Sequence, residues 1–326
     1  MRRLDAFIMK NSIKKPLFRI IDVCAVPFSF LFLPLLREIR RHGVNNFPLH
    51  LKRFLSTGVF PIRDHYYEPQ ISYSPGFDAQ RIRRLHIDFR LEKQLSDISG
   101  LKYSNELAML RMNGKVGDGN FFVHNPSFGP GDSDLYYLIV RNIKPARIIE
   151  IGSGYSTLLC LEAMKKNKEE NSDTDLCCIE PYELDWLERI PGIRLIRESV
   201  EKVPAEIFAS LQENDILFID SSHIIRPEND VLFEYLELLP SLNKGVIVHI
   251  HDIFSPRHYR SEWLQEEFRF WNEQYLLEAF LYYNDHFEIM YSLNHLKNDA
   301  FDITSKTLTN LGKKDEPASF WLRKIK

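Results

Sequence analysis

The sequence predicts an α/β fold: a doubly wound, mostly parallel, seven-stranded Rossmann-like sheet with an N-terminal helical appendage. Three observations carry that expectation. Apolar strand-like runs alternate with helical stretches from residue 147 to residue 251, the pattern of a parallel sheet covered on both faces. The first run, Arg147 to Ile151, passes straight into Gly152-Ser153-Gly154-Tyr155-Ser156. The second ends on an acid, Glu180.

Residues 1–60 form a basic and apolar segment. Residues 1–63 hold 12 Lys/Arg against 3 Asp/Glu, leaving 30 against 42 for the rest, so a net charge of -3 conceals a strongly basic start. Its apolar stretch, Ile20 to Leu36, has a charge-free core of only 14 residues from Val23. A spanning helix needs about 20 apolar residues, and Pro27 and Pro34 weaken a straight one. Basic residues lie on both sides, so the positive-inside rule selects no orientation. No small-residue cleavage signal follows, which argues against a removed secretory peptide. The expectation is a helix or re-entrant segment contacting an anionic membrane surface through residues 15–41, with a hairpin packed on the rest of the chain and a single span as alternatives. Nucleic acid is a poor partner for this segment, because its aromatics form an apolar block instead of interleaving with Lys and Arg.

Residues 61–120 read as a helical cap or substrate region, with helical periodicity at Arg81–Leu95 and Ser104–Met112. Two dense motifs, Asp64-His-Tyr-Tyr-Glu-Pro69 and His124-Asn-Pro-Ser-Phe-Gly-Pro-Gly-Asp132, flank its length. Turn chemistry alone accounts for such Pro, Gly, Asn and Asp clusters.

Residues 121–326 are the expected sheet domain. Its strands are Arg147–Ile151, Leu176–Ile179, Ile193–Ile196, Asp215–Asp220 and Gly245–His251, with helices at Ser156–Lys166, Val203–Leu211 and Asp230–Leu239 between them. Phe287–Tyr291 and Ser319–Lys324 complete it, the last antiparallel. The 44% hydrophobic and 27% charged composition is that of a globular protein. Cys24, Cys160, Cys177 and Cys178 have no metal-finger spacing, and read as reduced thiols in a cytoplasmic setting.

Strand, turn and acid together have the chemistry of an adenosine-containing cofactor site. Gly152 and Gly154 let the chain bend sharply and approach a ligand at a helix N-terminus. Glu180 is placed to accept hydrogen bonds from ribose hydroxyls. It lies 28 positions after Gly152, and the polar insertion at 165–175 accounts for the excess over the usual ~20. The tips of the fourth and fifth strands bring Asp220, His223, His251 and Asp252 to the same crevice. Two carboxylates near imidazoles can bind a divalent metal, and an imidazole can act as a general base. His249, inside its strand, reads as a hydrogen-bonded core residue.

On these residues the sequence resembles the class I S-adenosylmethionine-dependent methyltransferases, and within them the catechol O-methyltransferase-like, metal-assisted branch. The longer string Phe128-Gly-Pro-Gly-Asp132, Asp220-Ser-Ser-His223, His251-Asp-Ile-Phe254 and Phe270-Trp-Asn-Glu-Gln-Tyr275 is similar to a bacterial subfamily of uncharacterised methyltransferases, some near polysaccharide genes. The resemblance implies S-adenosyl-L-methionine bound by Glu150, Gly152, Ser153, Gly154, Ser156, Glu180 and Ser199, and His223 as the base that deprotonates an acceptor hydroxyl. It implies Asp220 and Asp252 as ligands of Mg or Mn, and a sugar, glycan or small-molecule acceptor.

Two positions depart from the pattern. Ser156 replaces a third glycine, which suits a sulfonium cofactor with no pyrophosphate. Ile253 follows Asp252 where the branch has Asn or Asp, so His251 or Asn272 supplies the third ligand, or the site is metal-free. The competing expectations are an NAD-dependent oxidoreductase and a non-catalytic, membrane-attached binding module.

Overall fold

The structure, a computed structural model, describes residues 11–57, 59, 76–182, 184, 186–267 and 269–326. The motif at 64–69 lies outside them. The chain divides into two units, Met1–Phe77 and Asp78–Lys326.

The first unit contains one long helix, α1 (Asn11–His42, 32 residues), a 3-10 turn at Val44–Asn46 and α2 (Pro48–Thr57). The apolar stretch is neither a hairpin nor broken at Pro27 and Pro34; α1 runs through both. Between Phe18 and His42 it is long and apolar enough to cross a membrane, an 18-residue stretch within it having a mean hydropathy of 1.8.

The second unit is built on a seven-stranded sheet in the order β3-β2-β1-β4-β5-β7-β6. The strands are β1 (Arg147–Ile151), β2 (Asp175–Ile179), β3 (Arg194–Ile196), β4 (Ile216–Ile219), β5 (Ile247–Ile250), β6 (Phe287–Ser292) and β7 (Phe320–Lys324). The first five run parallel, while β7 is antiparallel to both β5 and β6. This bears out the expected sheet, the antiparallel last strand included.

Burial alternates with period two, as side chains on a pleated strand must. Ile148, Phe218 and Ile247 belong to the core on one face, with Tyr136, Leu159 and Trp321. Ile149, Leu217 and Val248 belong to the core on the other, with Tyr235, Leu238 and Leu322. The first core is closed by α4 (Asp132–Ile143) and α5 (Tyr155–Glu169); the second takes in the helix Asp230–Ser241, here α7. That helix contains a π-turn at Glu234–Leu238. The remaining helices are α3 (Leu91–Ser99), α6 (Ala205–Ala209), α8 (Glu273–Leu281), α9 (Leu293–Asp299) and α10 (Phe301–Thr307).

Two helical expectations are corrected. Arg81–Arg90 has no helix, and α3 begins only at Leu91. Irregular backbone there, with Arg90 left-handed (φ 54), lets Arg83 pair with Glu278 and Arg90 with Glu288, tertiary ion pairs that override local periodicity. Helix α4, absent from the predicted elements, starts inside the Gly-Pro-Gly-Asp motif.

Candidate active site

Because β1 lies between β2 and β4, the connections from β1 and β4 leave the sheet on opposite faces and their tips open a crevice. A cavity of about 980 Å³ occupies it, lined among others by Gly152, Glu180, Ser199, Asp220, His223 and Trp271. It is of small-molecule size, at the upper end of the usual ~300–1,000 Å³.

The glycine turn is fixed by what it touches. Gly152 has φ +79, and a Cβ there would lie 1.9 Å from the backbone oxygen of Asp220, so only glycine fits between the two strand tips. Ser153 and Ser156 also line the cavity. At the end of β2 the Glu180 carboxylate accepts from the backbone N–H of Tyr182 (2.9 Å) and of Ser153 (3.4 Å).

Glu150 is completely buried. Its carboxylate accepts from Thr157 Oγ1 (2.6 Å) and Tyr136 OH (3.2 Å), and Thr157 Oγ1 in turn accepts from the Gly154 N–H (3.0 Å). Glu150 thus braces the turn from behind. Burial raises its pKa to about 7 despite those bonds.

The expected acid-histidine cluster does assemble. His223 Nε2 lies 3.3 Å from Asp220 Oδ1 and 3.5 Å from Asp252 Oδ2. His251 sits behind them, its Nδ1 3.5 Å from Asp220 Oδ1 and 3.7 Å from Asp252 Oδ1, its Nε2 3.5 Å from Asp132 Oδ2. Asp132 is itself held by the backbone N–H groups of Ala318 and Ser319, so the Gly-Pro-Gly-Asp motif reaches the site from the far side of the sheet. Neither nitrogen of His251 has a hydrogen-bond partner, and neither His251 nor Asp252 lines the cavity.

Burial alone would raise the Asp220 carboxyl, yet His251 and His223 beside it hold it far below its ordinary range. For His223, burial opposes protonation, but hydrogen bonds to Asp220 and Glu273 outweigh it and lift the imidazole well above its usual value. His251 is lifted likewise, against burial, by the charges of Asp252 and Asp220. His249 hydrogen-bonds Ser319 Oγ at 2.9 Å, stacks on Phe218 and is driven well below its usual pKa by burial; it is the core histidine expected.

The donor atoms of Asp220, His223 and Asp252 all lie within 4.8 Å of one another, close enough for one divalent ion. A mixed carboxylate and imidazole set suits Mn or Fe better than Mg. His223 completes this group as a third donor, and His251 Nδ1 stands beside the same two carboxylates. Asn272, the other alternative, has its Oδ1 taken by the Ile225 N–H at 2.6 Å.

One functional group escaped the sequence reading. Glu273, at the start of α8 and wholly buried, has Oε2 2.8 Å from His223 Nδ1, and its Oε1 accepts from Tyr235 OH at 3.0 Å.

A family model described as a methyltransferase domain matches residues 149–253, the span from β1 to just beyond β5. Residues 149–253 thus carry a methyltransferase domain. The chain is 33% identical over 100 residues to an uncharacterised protein of Archaeoglobus fulgidus, a match covering 29% of this chain and 44% of that one. It thus spans less than half the length of that relative. Among solved structures, the chain is similar to CmcI in its apo form, with TM-score 0.37 and 15% identity over 61% of this chain and 72% of that one. It is also similar to an O-methyltransferase from Bacillus cereus in complex with SAH, with TM-score 0.36 and 12% identity over 72% and 91%.

Proposed function

We propose that this methyltransferase transfers the methyl group of S-adenosylmethionine to a hydroxyl oxygen of a glycan or small molecule, with His223 as general base. The observation that carries the proposal is the position of the His223 ring: on the cavity wall, Nδ1 engaged by Glu273 and Nε2 directed to the two carboxylates. Glu180 binds the ribose, Gly152 to Gly154 seat the amino-acid end, Ser156 stands beside them, and Ser199 lies near the adenine.

As the acceptor oxygen bonds to the methyl carbon, the carbon–sulfur bond breaks and its electron pair stays on sulfur, giving the neutral thioether. The hydroxyl proton goes to Nε2 of His223. Most of the acceleration comes from holding the two reactants in line, and proton removal contributes roughly 10²–10⁴-fold. A base lifted above the ordinary histidine range is stronger, and it is unprotonated only towards alkaline pH.

The closeness of Asp220, Asp252 and His223 favours a second reading, in which these three hold a divalent ion. There the ion supplies polarisation of the acceptor oxygen, and His223 serves as its ligand instead of taking the proton.

The enzyme is held at a membrane by α1. Phe30, Leu31, Phe32 and Leu33 are four consecutive exposed apolar residues; at about 3.6 residues per turn they go right round the helix. A helix lying in the surface plane needs a polar face, so the apolar middle enters the hydrocarbon, with Arg19 and Arg37 at its opposite ends, roughly 27 Å apart, each reaching headgroups.

Label tracing tests the reaction. Methyl-labelled S-adenosylmethionine supplied with hydroxylated sugars, glycans and small phenols should give alkali-stable methyl ethers. Label recovered as alkali-labile esters, or on nitrogen, would sink the hydroxyl reading.

A further inference from the structure

We infer that Glu273 is the positioning residue of the site: its carboxylate fixes the proton of His223 on Nδ1 and so presents Nε2 as the ring's reactive nitrogen. The inference rests on the role proposed for His223.

A carboxylate can only accept hydrogen bonds. With Glu273 Oε2 2.8 Å from Nδ1, that nitrogen carries the hydrogen, and the neutral ring has its lone pair on Nε2. Glu273 has no exposed surface, and a buried charge is tolerable only when its oxygens are satisfied. Here both are, one by His223 and the other by Tyr235 OH at 3.0 Å. Tyr235 projects from the π-turn of α7, so that irregular turn supplies the second donor.

The ring also has little freedom to turn. His223 adopts φ +61, a left-handed conformation that a non-glycine residue keeps only under constraint. Its carbonyl accepts from the backbone N–H groups of Asn272 (3.0 Å) and Glu273 (3.2 Å), and two residues on Asn272 Oδ1 takes the Ile225 N–H. Trp271 lies against the imidazole at 4.3 Å between centroids. The loop after β4 and the start of α8, fifty residues apart in sequence, are thereby locked into one unit. Without the carboxylate, Asp220 and Asp252, 3.3 and 3.5 Å from Nε2, would draw the hydrogen to that nitrogen instead.

The test is nuclear magnetic resonance on full-length, ¹⁵N-histidine-labelled protein saturated with S-adenosylhomocysteine. The wild type should show a strongly downfield, slowly exchanging proton on one histidine Nδ1, absent from His223→Gln. In Glu273→Gln that proton should exchange about tenfold faster or more, the consequence of replacing a charge-assisted bond by a neutral one, while S-adenosylhomocysteine affinity stays within threefold. Glu273→Asp should restore much of the protection. An unchanged proton in Glu273→Gln, or a wild-type ring protonated only on Nε2, would overturn the inference. Should Glu273→Gln fail to fold, Tyr235→Phe gives a second variant, in which the Nδ1 proton should persist with altered shift and full loss of protection would count against the carboxylate. Because no turnover is measured, a positive result with no hydroxyl methylation would remove the proposed reaction and leave the positioning intact.

Discussion

Gly152 and Asp220 meet backbone to backbone: a Cβ on the glycine would come within 1.9 Å of the Asp220 carbonyl oxygen. The cofactor turn after β1 and the acid at the tip of β4 are consequently a single mechanical unit. Any residue larger than hydrogen at 152 must push the two strand tips apart, and with them the Asp220 carboxylate beside His223.

Gly152→Ala should therefore damage binding and chemistry together. Left-handed backbone costs an alanine about 1–2 kcal/mol and the clash adds to it, so affinity for S-adenosylhomocysteine should fall more than tenfold. Calorimetric titration measures it. Binding within threefold of wild type would mean that the turn does not seat the cofactor.

Glu150→Gln should alter the pH dependence of stability. Folding raises the Glu150 pKa from an ordinary 4.5 to about 7 through burial. The folded state thus binds the proton more tightly than the unfolded state, so this group costs stability as pH rises from about 4.5 and the full cost is present above about 7. Over that window the glutamine variant should gain about 3 kcal/mol relative to wild type, an order-of-magnitude figure at about 1.4 kcal/mol per pKa unit. Denaturant unfolding at pH 4.5 and pH 8 reads the difference directly. A difference that does not change with pH would show that Glu150 titrates normally.

The sheet was legible because its parallel strands are dense in Ile, Leu, Val and Cys and β1, β2 and β4 stop at Gly152, Glu180 and Asp220, so period, length and punctuation agree there. The convergence of Asp220, His223, His251 and Asp252 followed from topology alone, since parallel strands bring their carboxyl ends to one edge. Arg81–Arg90 misled because its helical spacing serves distant carboxylates, Glu278 and Glu288. Helix α4 was hidden behind a loop motif whose last residue, Asp132, is also its first. Glu273 could not be found by strand-tip logic: it reaches His223 from a helix fifty residues away, and its only signal was its place in the string Phe270 to Tyr275. Glu150, beside the glycine turn, points into the core by strand alternation.

Base and ligand roles for His223 differ in what its removal does. As the base, His223→Ala should reduce methyl transfer by about 100-fold or more, while Mn²⁺ affinity and S-adenosylhomocysteine affinity stay within threefold. Asp252→Asn should weaken Mn²⁺ at least tenfold if the carboxylates hold an ion. Electron paramagnetic resonance titration of free Mn²⁺ reads both variants. Loss of Mn²⁺ binding in His223→Ala would make His223 a ligand and transfer the proton-accepting role elsewhere.

The four cysteines give the full-length protein a built-in depth probe. Cys24 lies near the start of the charge-free run of α1 and is exposed, whereas Cys160, Cys177 and Cys178 are buried in the sheet domain. With α1 in hydrocarbon, Cys24 should resist a charged maleimide in vesicles containing anionic lipid and react readily once detergent dissolves them. Substituting Phe30→Glu and Phe32→Glu places two charges in the charge-free run, each costing about 2.5–3.5 kcal/mol at mid-bilayer depth. That variant should move to the soluble fraction with Cys24 reactive and S-adenosylhomocysteine affinity unchanged. Rapid labelling of wild-type Cys24 in intact vesicles, or a wild-type protein that stays soluble, would show that α1 is not in the membrane; protection in lipid-free solution would instead indicate that a second copy of the chain covers it.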